Sequence, residues 1–255
     1  MYMIRKQEYD LETYPFEPND FLFYFRSLYH DRGLKAFYQL FNRTRRRPYS
    51  RGLIARFAPT GIGLEIGVGA RTICPTTRTV LSDGYSEHGV ANSIGKVFFM
   101  GDEIPYKDET FSFVLSEHVL EHIANPIKML KEWIRVLKKN GHVFLFLPHK
   151  ERTFDRFRKI TTLEHLISDY ENDISFDDQG HLKEWWQDIV EKGLMPDHYK
   201  HIGKQDVTGT GSIHHHVWTE KEIAELLEYV ELKVVLIDPK VHDRRDTFVV
   251  VGRKI

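Results

Sequence analysis

The chain has 255 residues, 41% of them hydrophobic and 29% charged, with a formal net charge of -1. That length and apolar content suit one large globular domain, and the near-neutral charge argues against a dedicated nucleic-acid binder, which carries a basic excess. A single cysteine, Cys74, leaves no partner for an internal disulfide, the opening residues hold no apolar signal segment, and no run approaches 18 apolar residues, so a cytoplasmic protein without a membrane span is expected.

Residues 1–18 are polar and proline-broken, which reads as irregular chain. Residues 19–42 carry Phe21, Leu22, Tyr24, Phe25, Leu28, Leu34, Phe37, Leu40 and Phe41 at roughly helical spacing. Arg43 to Arg47 form a basic run that is either a solvated helix end or a contact to substrate phosphate. An N-terminal helical extension is therefore expected over residues 1–50, with residues 1–45 either covering the active site or mediating a homodimer.

Beyond it, strand and helix alternate. Short buried strands are expected at Gly63 to Ile66, Arg78 to Ser82, Lys96 to Met100 and Phe111 to Ser116. A helix then starts with Asn125 as cap and Pro126 in the first turn. It shows Ile127, Leu130, Ile134 and Leu137 on one face, carries Lys138 and Lys139 at its end and exits at Gly141. Val143 to Leu147 is a continuous apolar strand. Thr219-Glu220-Lys221-Glu222 is a capping box before Ile223, Ala224, Leu226 and Leu227. Two last strands, Leu232 to Ile237 and Thr247 to Val251, are separated by too few residues for a crossover helix, so they pair antiparallel. The expected fold is α/β, a mostly parallel sheet covered by helices on both faces and ending in an antiparallel strand. Residues 150–213, long, polar and aromatic with helical pieces at Thr162 to Tyr170 and His181 to Lys192, are expected to form a substrate-binding cap inserted after the fifth strand. One domain spans 1–255.

Gly61-Ile62-Gly63-Leu64-Glu65-Ile66-Gly67-Val68-Gly69-Ala70 runs from strand into a glycine loop. A nicotinamide-type loop wants a third glycine where Thr72 stands, which counts against a reductase. The pattern here is acidic-x-Gly-x-Gly. Asp83 follows the second strand, where an acidic side chain accepts ribose hydroxyls. Gly101-Asp102-Glu103-Ile104-Pro105 leads through Phe111 into Ser116-Glu117-His118-Val119-Leu120-Glu121-His122. As a set, Gly61 to Pro148 resembles class I S-adenosylmethionine-dependent methyltransferases, whose sheet is Rossmann-like. The resemblance implies S-adenosylmethionine as cofactor, bordered by Glu65, Gly67, Gly69, Arg71, Asp83, Asp102, Glu103, Ser116 and His118. Asp102 would meet the adenine edge and Arg71 the cofactor carboxylate. Arg71 stands where the family often has a further glycine.

Eight of the 14 histidines lie between His149 and His216. His149 directly follows the fifth strand and is the first choice for a general base, with His118, His214 and His216 as alternatives. If Ile213 to Val217 is extended, His214 and His216 share a face. His149, His181, His214 and His216 are then a candidate site for a divalent metal, Mn or Mg, with Asp155, Asp177 and Asp178 as further ligands; the alternative is hydrogen bonding without metal. Pro148 to Arg156, Thr162 to Leu166 and His214 to Thr219 resemble a bacterial subgroup of predicted methyltransferases of surface-polysaccharide clusters. That implies a sugar or nucleotide-sugar hydroxyl as acceptor, with Trp185, Trp186 and Trp218 stacking on sugar faces. Methyl transfer to nitrogen or carbon of another metabolite, and a non-catalytic binding protein on the same fold, are the competing readings.

Overall fold

The structure, a computed structural model, describes residues 9–35, 37, 47–84, 93–175, 178–195 and 213–255. Leu40, Phe41, Arg43 to Arg46, Asp177 and part of the expected cap lie outside the described residues.

Among the described residues, seven strands form one sheet in the order β3-β2-β1-β4-β5-β7-β6. They are β1 (Gly63–Ile66), β2 (Thr79–Asp83), β3 (Val97–Phe98), β4 (Phe111–Glu117), β5 (Leu137–Pro148), β6 (Leu232–Asp238) and β7 (Thr247–Lys254). β1 to β5 pair in parallel. β7 runs antiparallel to both β5 and β6, as the short connection requires. This is the mostly parallel sheet with a final antiparallel strand expected above.

The six described α-helices are α1 (Asp20–Arg32), α2 (Pro48–Phe57), α3 (Pro126–Val136), α4 (Leu163–Glu171), α5 (Gln179–Trp185) and α6 (Glu220–Tyr229). On one face of the sheet, Ile127, Leu130, Trp133 and Val136 of α3 and Ile223, Leu226 and Leu227 of α6 pack on Leu64, Val114, Leu145 and Val250. On the other face, Leu53 and Ile54 of α2 pack on Phe113, Phe144, Phe146 and Val249. Each such large apolar side chain contributes about 1.5–3 kcal/mol on burial. Sheet residues buried on both faces explain why the strands read as continuous apolar runs.

Two elements differ from expectation. α3 ends at Val136, and the residues assigned to its last turn open β5 instead. Leu137 is extended (φ -81, ψ 132) because it pairs with Phe111, and Lys138 to Gly141 bulge before pairing resumes between Phe113 and His142. Residues 67–78, joining the parallel strands β1 and β2, contain no helix. Ile73 and Cys74 from this connection fill the core under α2 instead.

Candidate functional site

The chain leaves β1 toward β2 on one side and continues to β4 on the other, so a crevice opens at their carboxyl ends, the usual ligand position in such sheets. Ile66 pairs with Ser116 there, which sets Gly67 beside Glu117 at the head of the crevice. Gly67 (φ 69) and Gly69 (φ 53) are left-handed. A Cβ on Gly67 would stand 2.4 Å from Val119 Cγ2, so backbone is exposed at that point only because a side chain is missing. Asp83 Oδ2 accepts from Gly69 N (3.1 Å) and from the Ser93 hydroxyl, and Oδ1 accepts from Gly84 N (2.9 Å). A carboxylate offers about four acceptor positions, so a ligand hydroxyl can still be taken. Asp102 is half-buried and Glu103 exposed in the turn after β3. Ser116 Oγ is buried with no hydrogen-bond partner among the described residues. Phe23, Tyr24 and Leu28 of α1 face Ala70, Arg71 and Ile94 across a cleft, so α1 lies over the glycine loop. A shaped backbone cradle, an acidic acceptor and an orphan hydroxyl fit a nucleoside-bearing cofactor.

Glu65, expected to border the cofactor, is engaged with residues that follow the glycine loop. Its buried carboxyl accepts from the Thr72 hydroxyl and from Ile73 N (3.3 Å), and burial pushes it up to about 7. It braces the loop from behind.

His118 is left-handed (φ 54) at the end of β4. Arg244 Nη2 donates to its Nδ1 (3.1 Å), so the proton sits on Nε2, 2.8 Å from Thr247 Oγ1. Burial and the Arg244 guanidinium hold it well below the usual histidine range. Both ring nitrogens of His118 are thus engaged at the edge of the site.

His149 is likewise occupied. Its Nδ1 accepts from Glu151 N (3.1 Å), capping a short turn, and its Nε2 lies 3.3 Å from Glu220 Oε2. It belongs to neither group of converging histidines described below. The structure does not bring His149, expected as base and metal ligand, to either cluster; its side chain ties β5 to the start of α6.

The converging histidines form two groups, not one. In the first, donor atoms of Glu121, His122 and His214 lie within 4.8 Å of one another. Glu121 follows β4, is 1% exposed, and neither carboxylate oxygen has a hydrogen-bond partner among the described residues. Burial pushes it up to about 7. His214 Nδ1 stands 2.6 Å from Asp155 Oδ2, and Arg158 Nη1 in turn lies 3.3 Å from Asp155 Oδ1 and 2.7 Å from the His214 carbonyl. In the second group, His165, His181 and His216 surround Asp169. Among the described residues, the segment 213–217 is not paired in a sheet and turns its histidines to different partners, so His214 and His216 do not share a face, and the expected set of four is split.

Residues 75–145 match the family described as "Methyltransferase domain". An uncharacterized protein of Methanocaldococcus jannaschii is 36% identical over 96 residues, covering 36% of this chain and 47% of that protein. A sterol 4-C-methyltransferase of Caenorhabditis elegans is 28% identical over 97 residues, covering 37% of this chain and 29% of that protein. The chain therefore spans less than half the length of these relatives. A solved structure of a SAM-dependent methyltransferase, possible histamine N-methyltransferase, from Thermotoga maritima is 16% identical, with a TM-score of 0.46, over 91% of this chain and 100% of that one.

Residues 75–145 are the stretch that matches a methyltransferase domain.

The matched stretch runs from just before β2 into β5 and holds Asp83, Asp102, Ser116, His118, Glu121 and His122. The matched stretch thus supplies Glu121 and His122, while His214 and Asp155 arrive from outside it. Glu121 lies within the Ser116 to His122 motif, and burial, which no motif shows, is what singles it out. Trp185 and Trp218 are each 1% exposed and packed in core clusters, so neither offers a face to a sugar.

Proposed function

We propose that this protein is an S-adenosylmethionine-dependent O-methyltransferase that methylates a hydroxyl of a small molecule, with a sugar or nucleotide-linked sugar as acceptor. The observation that carries the reading is the Asp155–His214 pair beside Glu121 and His122, at the carboxyl edge of the sheet.

S-adenosylmethionine, when bound, supplies an activated methyl on its sulfonium. Gly67, Gly69, Asp83, Asp102 and Ser116 would hold and orient it, while α1 covers the loop from outside. A hydroxyl acceptor must lose a proton as its oxygen takes the methyl, which calls for a positioned base. Asp155 accepts from His214 Nδ1–H and so leaves His214 Nε2 as the basic nitrogen. The Asp155 carboxylate, with Glu121 nearby, stabilises the imidazolium that results. Alignment of the acceptor supplies the rest of the acceleration.

The support for a carbohydrate is the likeness of Pro148 to Arg156, Thr162 to Leu166 and His214 to Thr219 to the surface-polysaccharide subgroup, together with polar walls. Glu121, His122, His118 and His214 would suit a hydroxylated acceptor better than a sterol, the molecule in the name of the C. elegans relative.

The test is incubation of the full chain with methyl-labelled S-adenosylmethionine and a panel of nucleotide sugars, free sugars, amines and sterols. The expected outcome is label in a sugar methyl ether. Label only in an amine or on carbon would overturn the O-methyltransferase reading. An absence of S-adenosylhomocysteine binding by titration calorimetry would overturn the cofactor.

A further inference from the structure

We propose that His165, Asp169, His181 and His216 form a zinc site that fastens the cap to the methyltransferase core. The donors come from three separate parts of the chain. His165 and Asp169 are one turn apart on α4, His181 is on α5, and His216 lies on the segment entering α6.

Their donor atoms converge on one point. Asp169 Oδ2 is 3.0 Å from His216 Nε2, 3.3 Å from His165 Nε2 and 3.5 Å from His181 Nε2, and the last two nitrogens are 3.1 Å apart. All four donors lie within 4.8 Å of one another. Four ligands at zinc bond lengths of about 2.0–2.1 Å form a tetrahedron with edges of about 3.3 Å, close to these separations.

The ring orientations point the same way. His216 Nδ1 lies 3.0 Å from the Ile123 carbonyl, which only accepts, so that nitrogen carries the proton and Nε2 presents its lone pair to the cluster. His181 Nδ1 lies 3.1 Å from Asp178 Oδ2 and is oriented in the same manner; Asp178 also accepts from His181 N at the start of α5. Histidines that bind metal commonly hand their other N–H to a carbonyl or carboxylate in this way. In neutral rings, the Nε2 lone pairs of His216 and His181 directed at a carboxylate oxygen repel unless a cation lies among them.

The donor chemistry selects the metal. Magnesium takes oxygen ligands and keeps waters, whereas three imidazoles with one carboxylate suit zinc. Four protein ligands also leave no open position, which is the form of a structural site. The site would hold α4 and α5 against the strap carrying His214 and His216, and so close the cap over Glu121, His122 and Asp155. His181 and His216 were among the residues expected to bind metal; His165 and Asp169 replace His149 and His214.

The test uses the full chain without cofactor. After chelator treatment, zinc is titrated in competition with a chromophoric chelator, and cobalt is titrated with the visible spectrum recorded. One zinc per chain and the absorption of tetrahedral cobalt are expected. His165→Ala, at the exposed side of the cluster, should fold by circular dichroism and weaken zinc by more than about 100-fold, the ceiling for losing a mere orienting partner. Asp178→Asn should weaken it by about 10–100-fold and keep the cobalt spectrum. No tetrahedral cobalt signal in the wild-type chain, or zinc affinity unchanged in folded His165→Ala, would overturn the site. Neither result touches the methyl-transfer reading, which is measured with S-adenosylmethionine.

Discussion

His214 Nδ1 stands 2.6 Å from Asp155 Oδ2, 59 residues away in the chain, and this contact decides which nitrogen of His214 is basic. Asp155→Asn removes the charge that fixes the ring and that stabilises its protonated form. With the sugar acceptor, kcat should fall by about 10²–10⁴-fold, the usual range for losing an oriented general base or its partner. S-adenosylhomocysteine affinity, measured by calorimetry, should be unchanged, because the glycine loop does not touch Asp155. An unaltered kcat would remove His214 from the reaction.

Gly67 offers a test of the cofactor cradle with an internal control. Gly67→Ala places a methyl 2.4 Å from Val119 Cγ2 and forces alanine into a left-handed conformation, which by itself costs about 1–2 kcal/mol. S-adenosylhomocysteine binding should be lost or weakened at least tenfold. Val119→Ala removes the clash and leaves the backbone cost. The double variant should therefore recover part of the affinity and not all of it. Additive effects in the double variant would show that Val119 is not the neighbour that limits the loop.

Glu65 gives a pH dependence of known sign. Burial raises its carboxyl from 4.5 to about 7, so the folded chain binds a proton that the unfolded chain has released between those values. Its stabilising contribution is complete below about pH 4.5, declines as pH rises through 7 and is constant above that. The difference amounts to roughly 3 kcal/mol at 1.36 kcal/mol per unit. Glu65→Gln lacks this titration. The stability difference between wild type and Glu65→Gln, from urea unfolding, should thus shift in favour of the variant as pH rises from 4.5 to 7.5. A difference that stays flat across that window would mean that Glu65 is ionised in the folded chain.

The sheet was legible because its strands are buried on both faces and read as apolar runs, and because the last connection was too short for a helix. The end of α3 was not, since pairing of Leu137 with Phe111 is a long-range event that helical spacing cannot reveal. The glycine loop and Asp83 were visible as local pattern, whereas the bonding of Glu65 to Thr72 and Ile73 was not. Strand alternation placed His214 and His216 together, but 213–217 has no ladder to impose that alternation, and each ring follows its own carboxylate, Asp155 or Asp169. The i,i+4 spacing of His165 and Asp169 on an expected helix was the readable part of the second cluster.

Asp243 supports the site from below. It accepts from Tyr49 N (2.9 Å), Ser50 N (3.1 Å) and Ser50 Oγ (2.9 Å) at the start of α2, and pairs with Arg47 Nε (3.1 Å), while Arg47 Nη2 meets Glu117. Both Asp243 and Arg47 are buried. An anion here satisfies orphan N–H groups and the positive end of the helix together. Asp243→Ala leaves those donors unpaired and should cost about 3 kcal/mol or more in urea unfolding. Asp243→Asn keeps an acceptor and loses the charge, so its loss should be smaller. Because the adjacent Arg244 holds the His118 ring, Asp243→Ala should also disturb the edge of β4, visible as a shift of the His118 ring resonances by NMR. Equal stability of wild type and both variants would show that α2 is held by the packing of Leu53 and Ile54 alone.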